Sequence, residues 1–167
     1  MQAYLQEAMP ERTYLITVGI MAFIFTVSMT IPFASILIGA VLLRHVRWKE
    51  IVLISSLGSA TGGLFLCFTF YYLGWSQIAA AYPDLLQSKA WSDATRWVST
   101  YGTGALLVIA AMPLPQTPAL IFTALVPLPV SEVFLALFLG KLLKYGTYGW
   151  LAAKFPSWFQ RLAREIP

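Results

Sequence analysis

Charged residues are scarce in this chain of 167 residues, and cysteine and histidine are almost absent. Only 11% of the residues are charged, against about a quarter in soluble domains. The single cysteine, Cys67, excludes an intrachain disulfide and a cysteine-based metal motif. The single histidine, His45, lies in a basic turn, and the apolar segments contain no paired carboxylates, so a hydrolytic site would have neither a base nor metal ligands. We therefore expect a protein that is not an enzyme and that uses no cofactor or metal.

Apolar sequence is what the chain has in excess, at 59% of its residues. Four long apolar runs each exceed the roughly 20 residues that cross a bilayer; they are residues 13–43, 51–83, 97–131 and 133–153. Glu7 and Glu11 precede the first run, which is longer than the apolar core of a cleavable signal sequence, so we expect this run to stay in the mature protein. The composition predicts an all-α integral membrane protein.

Prolines break two of these runs near their centres. Pro32 interrupts the first, and the stretch AMPLPQTPA places Pro113, Pro115 and Pro118 in the middle of the third. Proline removes a backbone donor and clashes with the preceding helical turn, so each run is expected to form two arms joined by a tip. An arm of about 14 residues reaches only about 20 Å into a core of roughly 30 Å. We expect two re-entrant hairpins, and four spanning helices kinked by proline remain the alternative.

Two segments without proline, 51–73 and 131–151, are predicted to be the spanning helices. If both broken runs return to the side from which they enter, most basic residues lie on one side of the membrane. Basic residues near the ends of spanning segments are in excess on the cytoplasmic side, so this side is expected to be the cytoplasm. Those residues are Arg12, Arg44, Arg47, Lys49, Lys154, Arg161 and Arg164. Both termini are then cytoplasmic. If all four segments crossed instead, this charge would be divided between two faces.

The two halves of the chain are predicted to form an inverted repeat within one membrane domain, residues 1–167. Pro32 precedes the first spanning helix by nearly the same distance as Pro113 precedes the second. Transporters with this design bind their substrates where the broken segments meet near the midplane. The predicted parts are repeat 1 at about 14–75, an interfacial linker helix at 84–101, repeat 2 at about 102–152 and a cytoplasmic tail at 153–167.

Two lysines in the last spanning segment are the main candidates for substrate binding. Lys141 and Lys144 lie one helical turn apart and share a face, and charged residues in a membrane usually face a cavity or a charged partner. We predict that they bind a phosphate group together with the hairpin tips; snorkelling to the cytoplasmic surface is the alternative. The full predicted set is Lys141, Lys144, Gln116, Pro113, Pro115, Pro32 and Glu132. Glu132 also fits a simple role as a carboxylate at a helix start, and Gln116 fits one in satisfying the broken backbone.

Glycines in the first spanning helix are predicted to serve helix packing. Gly58, Gly62 and Gly63 are interspersed with serine and threonine. Small residues let helices approach closely, which we favour over contact with substrate.

Four motifs, in this order, resemble the DedA superfamily, which shares the VTT or SNARE-associated Golgi protein domain. They are LGSATGG at 57–63, YYLG at 71–74, TRWVSTYGTGALLVIAAMPLPQTP at 95–118 and LGKLLKYG at 139–146. The resemblance covers about residues 18–152 and is nearest to the small bacterial inner-membrane branch. It implies a transporter, flippase-like or scramblase-like, that moves a phospholipid or polyprenyl-phosphate lipid between the leaflets of the bacterial cytoplasmic membrane. Membrane lipids are then the partners, nucleic acid is not, and a homo-oligomer remains open.

The chain departs from the family at the positions that carry charge in better-known members. Uncharged Ile31, Pro32 and Phe33 replace an acidic residue near the first proline, Gly62 and Gly63 replace a Gly-Asp pair, and Gln116 replaces an arginine. These departures favour passive or potential-driven movement of an anionic lipid over proton coupling. A small-molecule or ion exporter and a non-catalytic membrane scaffold are the alternative functions.

Overall fold

The computed structural model describes residues 10–29, 33–81, 83–113, 116–125 and 128–155. Every regular element within these ranges is helical, which confirms the predicted all-α class for this part of the chain. In chain order the α-helices are α1 (Glu11–Ser28), α2 (Phe33–Leu43), α3 (Trp48–Ala81), α4 (Pro83–Leu86), α5 (Lys89–Tyr101), α6 (Thr103–Ala111), α7 (Thr117–Leu125) and α8 (Val130–Lys154), with a 3-10 turn at His45–Arg47 between α2 and α3.

Two helices in the described ranges are long and apolar enough to cross a membrane. They are α1 and the part of α3 from Trp48 to Gly74, where a positive φ of 74° interrupts the helix. The sequence predicted α3 and α8 as the spanning pair and assigned α1 to a hairpin arm. Helix α8, with 25 residues, has the length but not the apolarity, and two lysines lie at its centre.

The chain returns to its starting end after the first break. Helix α1 ends at Met29, which adopts a left-handed conformation with φ of 53°. The Tyr14 hydroxyl in the first turn of α1 donates to the carbonyl of Ala40 near the end of α2, at 2.8 Å. Arg47, which follows α2, forms a salt bridge with Glu11 at the start of α1. The outer ends of α1 and α2 therefore lie together.

The second proline-containing segment also begins and ends at one end of the molecule. The Thr103 hydroxyl in the first turn of α6 donates to Oε2 of Glu132 in the first turn of α8, at 3.4 Å. Between these residues the chain forms α6, the proline-rich tip and α7. Because α6 and α8 start at the same place, the intervening segment reverses direction between them.

Helices α3 and α8 form an antiparallel pair at the centre of the fold. Val52 near the start of α3 packs against Gly149 near the end of α8, and Gly63 packs against Leu137 in the other half. Helix α1 packs along α3 and α2 along α8, whereas α6 packs along α8 and α7 along α3. In each half, the first helix of the proline-broken segment packs on the long helix that follows it in the chain, α1 on α3 and α6 on α8. The second helix packs on the long helix of the other half, α2 on α8 and α7 on α3.

The linker between the halves contains a short turn and a separate amphipathic helix. The sequence predicted one helix over residues 84–101, but α4 ends at Leu86 and α5 begins at Lys89. The Ser88 hydroxyl accepts a hydrogen bond from the Trp91 amide at 3.1 Å, which is the geometry of an N-cap and fixes the new start. Helix α5 packs on α6 and α7, so it covers the second half of the fold.

The apolar core consists of two clusters that meet along α3 and α8. One contains Leu37 and Val41 with the first turns of α3, and the other contains Ile121 and Leu137 with the second half of α3. Lys141 lies on α8 between residues of the two clusters. A polar layer therefore separates the two apolar cores.

Candidate functional site

Buried polar side chains are concentrated in the layer between the two cores. In the ranges that the structure describes, the buried polar or charged side chains are Ser55, Ser56, Ser59, Thr123 and Lys141. The three serines lie in the first half of α3, where the Ser59 hydroxyl contacts both α1 and α8, while Thr123 lies apart on α7. Polar groups removed from water need partners, so the contacts of this layer are informative.

Lys141 is buried near the middle of α8, and none of the described carboxylates is its partner. Its side chain is only 5% exposed, so it does not extend to the surface. The ammonium lies 5.6 Å from the centre of the Tyr145 ring, within the range of a cation–π contact. No described residue forms a salt bridge or hydrogen bond with its Nζ. A buried ammonium without a counter-charge is costly, and an anion would lower that cost.

Lys144 ties α8 to the tip of the second broken segment. Its Nζ donates a hydrogen bond of 3.1 Å to the carbonyl oxygen of Met112, the residue that follows α6. Carbonyls at a helix C-terminus lack intrahelical partners and carry partial negative charge, so an ammonium is favoured there. The sequence predicted a substrate role for Lys144, and the structure provides this backbone partner for it.

Three hydroxyl groups connect α8, α3 and α1 across the polar layer. The Tyr145 hydroxyl lies 3.2 Å from Ser59 Oγ, and Ser59 Oγ lies 2.7 Å from Thr26 Oγ1. Thr26 donates its proton to the Ala22 carbonyl at 2.7 Å. Each hydroxyl has one proton, so Ser59 donates to Thr26 and Tyr145 donates to Ser59. The sequence pattern did not indicate that these three residues are in contact, because they lie far apart in the chain.

The tips of the two proline-broken segments are in contact. Thr117 Oγ1 at the start of α7 lies 3.5 Å from the sulfur of Met29, the residue that ends α1. Half-buried Gln116 precedes α7, and its backbone carbonyl accepts a hydrogen bond of 3.0 Å from the Leu120 amide. Exposed Pro113 follows Met112 at the same tip. Pro32 and Pro115, which were also predicted to bind substrate, lie outside the described residues.

Glu132 is the predicted site residue that the structure places away from the others. It is exposed in the first turn of α8, where it accepts the bond from Thr103. Its separation from Lys141 along the helix is about 14 Å at 1.5 Å per residue. A carboxylate in a first helical turn complements the helix dipole, which is the simpler of the two roles that the sequence indicated.

Glycines allow the broken segments to approach the long helices closely. A Cβ atom at Gly58 would collide with the Gly19 carbonyl of α1, and one at Gly62 would lie 3.0 Å from the Phe23 carbonyl. Gly63 faces Leu137 of α8 at 3.1 Å. Gly140, which the sequence did not single out for packing, is equally close to α6, because a Cβ there would lie 2.6 Å from the Leu107 carbonyl.

A partly open cavity of about 280 Å³ lies between α3, α7 and the start of α8, apart from the lysines. Its lining residues are Leu64, Cys67, Phe68, Tyr71, Tyr72, Thr123, Ala124, Leu128, Val130 and Val133. Lys141 and Lys144 are not among them. The polar layer and this cavity are therefore two separate features.

The chain was compared with protein-family models, with curated proteins and with solved structures, and none of them matched. Within the described ranges, no group of three or more His, Cys, Asp or Glu side chains is arranged to hold a metal ion.

Proposed function

We propose that the protein is a membrane transporter of the DedA type that moves a phosphate-bearing lipid between the two leaflets of the cytoplasmic membrane. The observation that carries the proposal is the position of Lys141. This buried cation has no acidic partner among the described residues; it follows Gly140, which packs on the end of α6, and precedes Lys144, which binds the tip. An anionic headgroup at this level would supply the missing counter-charge.

Helix lengths support re-entrant segments in a membrane. Helix α2 has 11 residues, and α6 and α7 have 9 each, which gives lengths of about 14 to 16 Å, half of a hydrocarbon core of roughly 30 Å. Of the four arms, α1, α2, α6 and α7, α1 alone approaches the full thickness of the hydrocarbon core, with 18 described residues. The ion pair of Glu11 with Arg47 and the bond of Thr103 with Glu132 then mark the two membrane surfaces at which the segments enter and leave.

The packing of the arms supports an inverted repeat. The first arms, α1 and α6, each pack along the long helix of their own half. The second arms, α2 and α7, each pack along the long helix of the other half. Gly58 follows the start of α3 by the same number of residues as Gly140 follows the start of α8, and each packs against the first arm of its own half. Inverted repeats of this kind place substrate sites where their broken helices meet.

The site chemistry favours an anion and does not favour proton coupling through carboxylates. Lys141 offers an ammonium, and the tip of the second broken segment lies one helical turn away, where Lys144 binds the Met112 carbonyl. The described carboxylates lie at helix starts or on α5, and none of them forms a salt bridge with Lys141; they are Glu11, Glu50, Asp84, Asp93 and Glu132. Movement driven by the lipid gradient or the membrane potential fits this arrangement.

Substitution of Lys141 tests the proposal in lipid vesicles. Purified wild type should move a headgroup-labelled phospholipid between leaflets, as measured by its exposure to a membrane-impermeant reducing agent. Lys141→Arg should keep part of the activity because the charge remains, and Lys141→Met should reduce it at least about tenfold. Lys154→Met is the matched control, because Lys154 is exposed at the end of the same helix and stacks on Trp150 at 4.9 Å.

The outcomes separate the three candidate functions. Full activity of Lys141→Met at matched protein content would reject the headgroup site. A wild type that moves dyes or cations but no labelled lipid would indicate the small-molecule or ion exporter. A wild type that moves neither would indicate the membrane scaffold.

A further inference from the structure

The ring of Tyr145 lies next to the Lys141 ammonium. The two residues are about one helical turn apart on α8, and the lysine Nζ lies 5.6 Å from the centre of the tyrosine ring. Lys141 is 5% exposed and Tyr145 is 3% exposed, so water is largely excluded from this contact. A cation–π interaction is strongest when both groups are removed from water. The ring is therefore an energetically significant partner of the ammonium.

An aromatic ring and a carboxylate would affect this lysine differently. A carboxylate beside the ammonium would neutralise its charge and would compete with a phosphate for it. The face of an aromatic ring attracts a cation through its quadrupole but carries no net charge. None of the described carboxylates forms a salt bridge with Lys141. The ammonium is thus stabilised by Tyr145 while its positive charge stays available to an anion.

The hydroxyl and the ring of Tyr145 are both fixed by other helices. The hydroxyl donates to Ser59 Oγ of α3 at 3.2 Å, and Ser59 Oγ lies 2.7 Å from Thr26 Oγ1 of α1. The ring packs against Phe33 at the start of α2, with 5.7 Å between the ring centres. Helices of the first half therefore determine where the ring lies. Through the ring, they determine where the ammonium of the second half lies.

We propose that Tyr145 is a positioning residue of the headgroup site: it holds the Lys141 ammonium against its ring, and its hydroxyl bond to Ser59 keeps the ring in place. The inference rests on the headgroup site of the proposed function and adds the residue that orients the binding charge. In this role Tyr145 acts through Lys141 and does not bind the phosphate itself. Its replacement should misplace the ammonium although the charge is retained.

Acetylation of lysines in detergent micelles tests the placement of the ammonium. The protein is treated with sulfosuccinimidyl acetate, and the rate of modification of each lysine is measured by mass spectrometry. Exposed Lys154 at the end of α8 is the internal reference. Tyr145→Leu should raise the rate at Lys141 about tenfold relative to Lys154, because a desolvated cation–π contact is lost. Tyr148→Leu is the matched control and should leave the rate unchanged, since Tyr148 lies on the same helix and takes part in none of the described cation–π contacts.

A second variant keeps the test decisive if loss of the ring disturbs folding. Tyr145→Phe retains the ring and its packing on Phe33 and removes only the bond to Ser59. Its rate of acetylation at Lys141 should rise about fivefold, the effect of one hydrogen bond. A wild-type rate at Lys141 in either variant would overturn the proposal. An equal rise at all lysines in Tyr145→Phe would also overturn it, because such a rise indicates a merely structural role.

Lipid transport in vesicles separates this proposal from the proposed function. In Tyr145→Phe, the mole fraction of labelled lipid that gives half-maximal transport should rise about fivefold, with a smaller effect on the maximal rate, because a binding charge is misplaced. If the acetylation rates change as expected but the wild type moves no lipid, the transporter is rejected and Tyr145 remains the residue that positions Lys141. Transport that depends on Lys141 but not on Tyr145, with unchanged acetylation rates, would reject the positioning role alone.

Discussion

Arg47 and Glu11 form a salt bridge of 2.7 Å although Glu11 begins α1 and Arg47 follows α2 in the chain. Both side chains are substantially exposed, at 38% and 60%, and exposed ion pairs contribute about 0 to 1 kcal/mol to stability. The pair therefore contributes little to stability, but it shows the direction of the chain. The first apolar segment returns to the end of the molecule from which it starts.

Cysteine accessibility should reveal the same return in a membrane. On a Cys67→Ser background, single cysteines at Glu11 and Arg47 should react with an impermeant maleimide from the cytoplasmic side. Cysteines at Lys89 and Leu128 should react from the other side, because basic residues near the ends of spanning segments favour the cytoplasm and those near α1 and α2 are expected there. Labelling of the Glu11 and Arg47 positions from opposite sides would contradict the return of this segment.

The contact between the two tips should be trapped by cross-linking. Met29→Cys combined with Thr117→Cys, again without Cys67, should be joined by a short bis-methanethiosulfonate, because the native side chains approach to 3.5 Å. A shift in gel mobility after proteolysis between the two sites measures the reaction. The pair Met29→Cys with Glu132→Cys is the control, since Glu132 lies in the first turn of α8. Equal yields for both pairs would show that the tips do not meet.

Lys144 is expected to stabilise the fold through the Met112 carbonyl. Lys144→Met should lower the free energy of unfolding by about 1 to 2 kcal/mol, the range for a hydrogen bond to a charged group that is partly solvated. Lys144→Arg should retain most of that stability. Thermal unfolding in detergent micelles provides the comparison. No change in the Lys144→Met melting temperature would mean that the bond contributes nothing and that the tip is held by other contacts.

Two glycines of α8 should respond oppositely to the same substitution. Gly140→Ala should destabilise the protein by about 1 to 3 kcal/mol, because the new Cβ meets the Leu107 carbonyl at 2.6 Å. Gly146→Ala, with nothing within 4 Å of the new Cβ, should be neutral or should stabilise the helix by about 0.5 to 1 kcal/mol. Detergent unfolding curves of the two variants measure the difference. Equal stability of both would contradict the close packing of α6 on α8.

The sequence predicted those features that depend on local chemistry. The helical class followed from composition, and the break before α2 from the effect of proline on a helix. The arm lengths were less well predicted, because the expected arms of about 14 residues assumed a symmetric break at Pro32. Helix α1 continues for 18 residues to Ser28 and α2 has 11, since the chain leaves the helix at left-handed Met29.

The candidate site was predictable only where a residue is unusual in itself. Lys141 and Lys144 were identified because charge is rare in apolar segments. The partner of Lys144 is a backbone carbonyl, which every residue has, so no sequence pattern marks it.

The hydroxyl chain from Tyr145 through Ser59 to Thr26 makes the energetics of three helices interdependent. Removal of the middle hydroxyl leaves a donor on α8 and an acceptor on α1 without their partner, whereas removal of either outer hydroxyl affects one junction. The effects of substitutions along such a chain do not add, and a Ser59→Ala protein has already lost what Tyr145→Phe would remove. Substitutions at these three positions are therefore expected to be coupled, although the residues lie far apart in the chain.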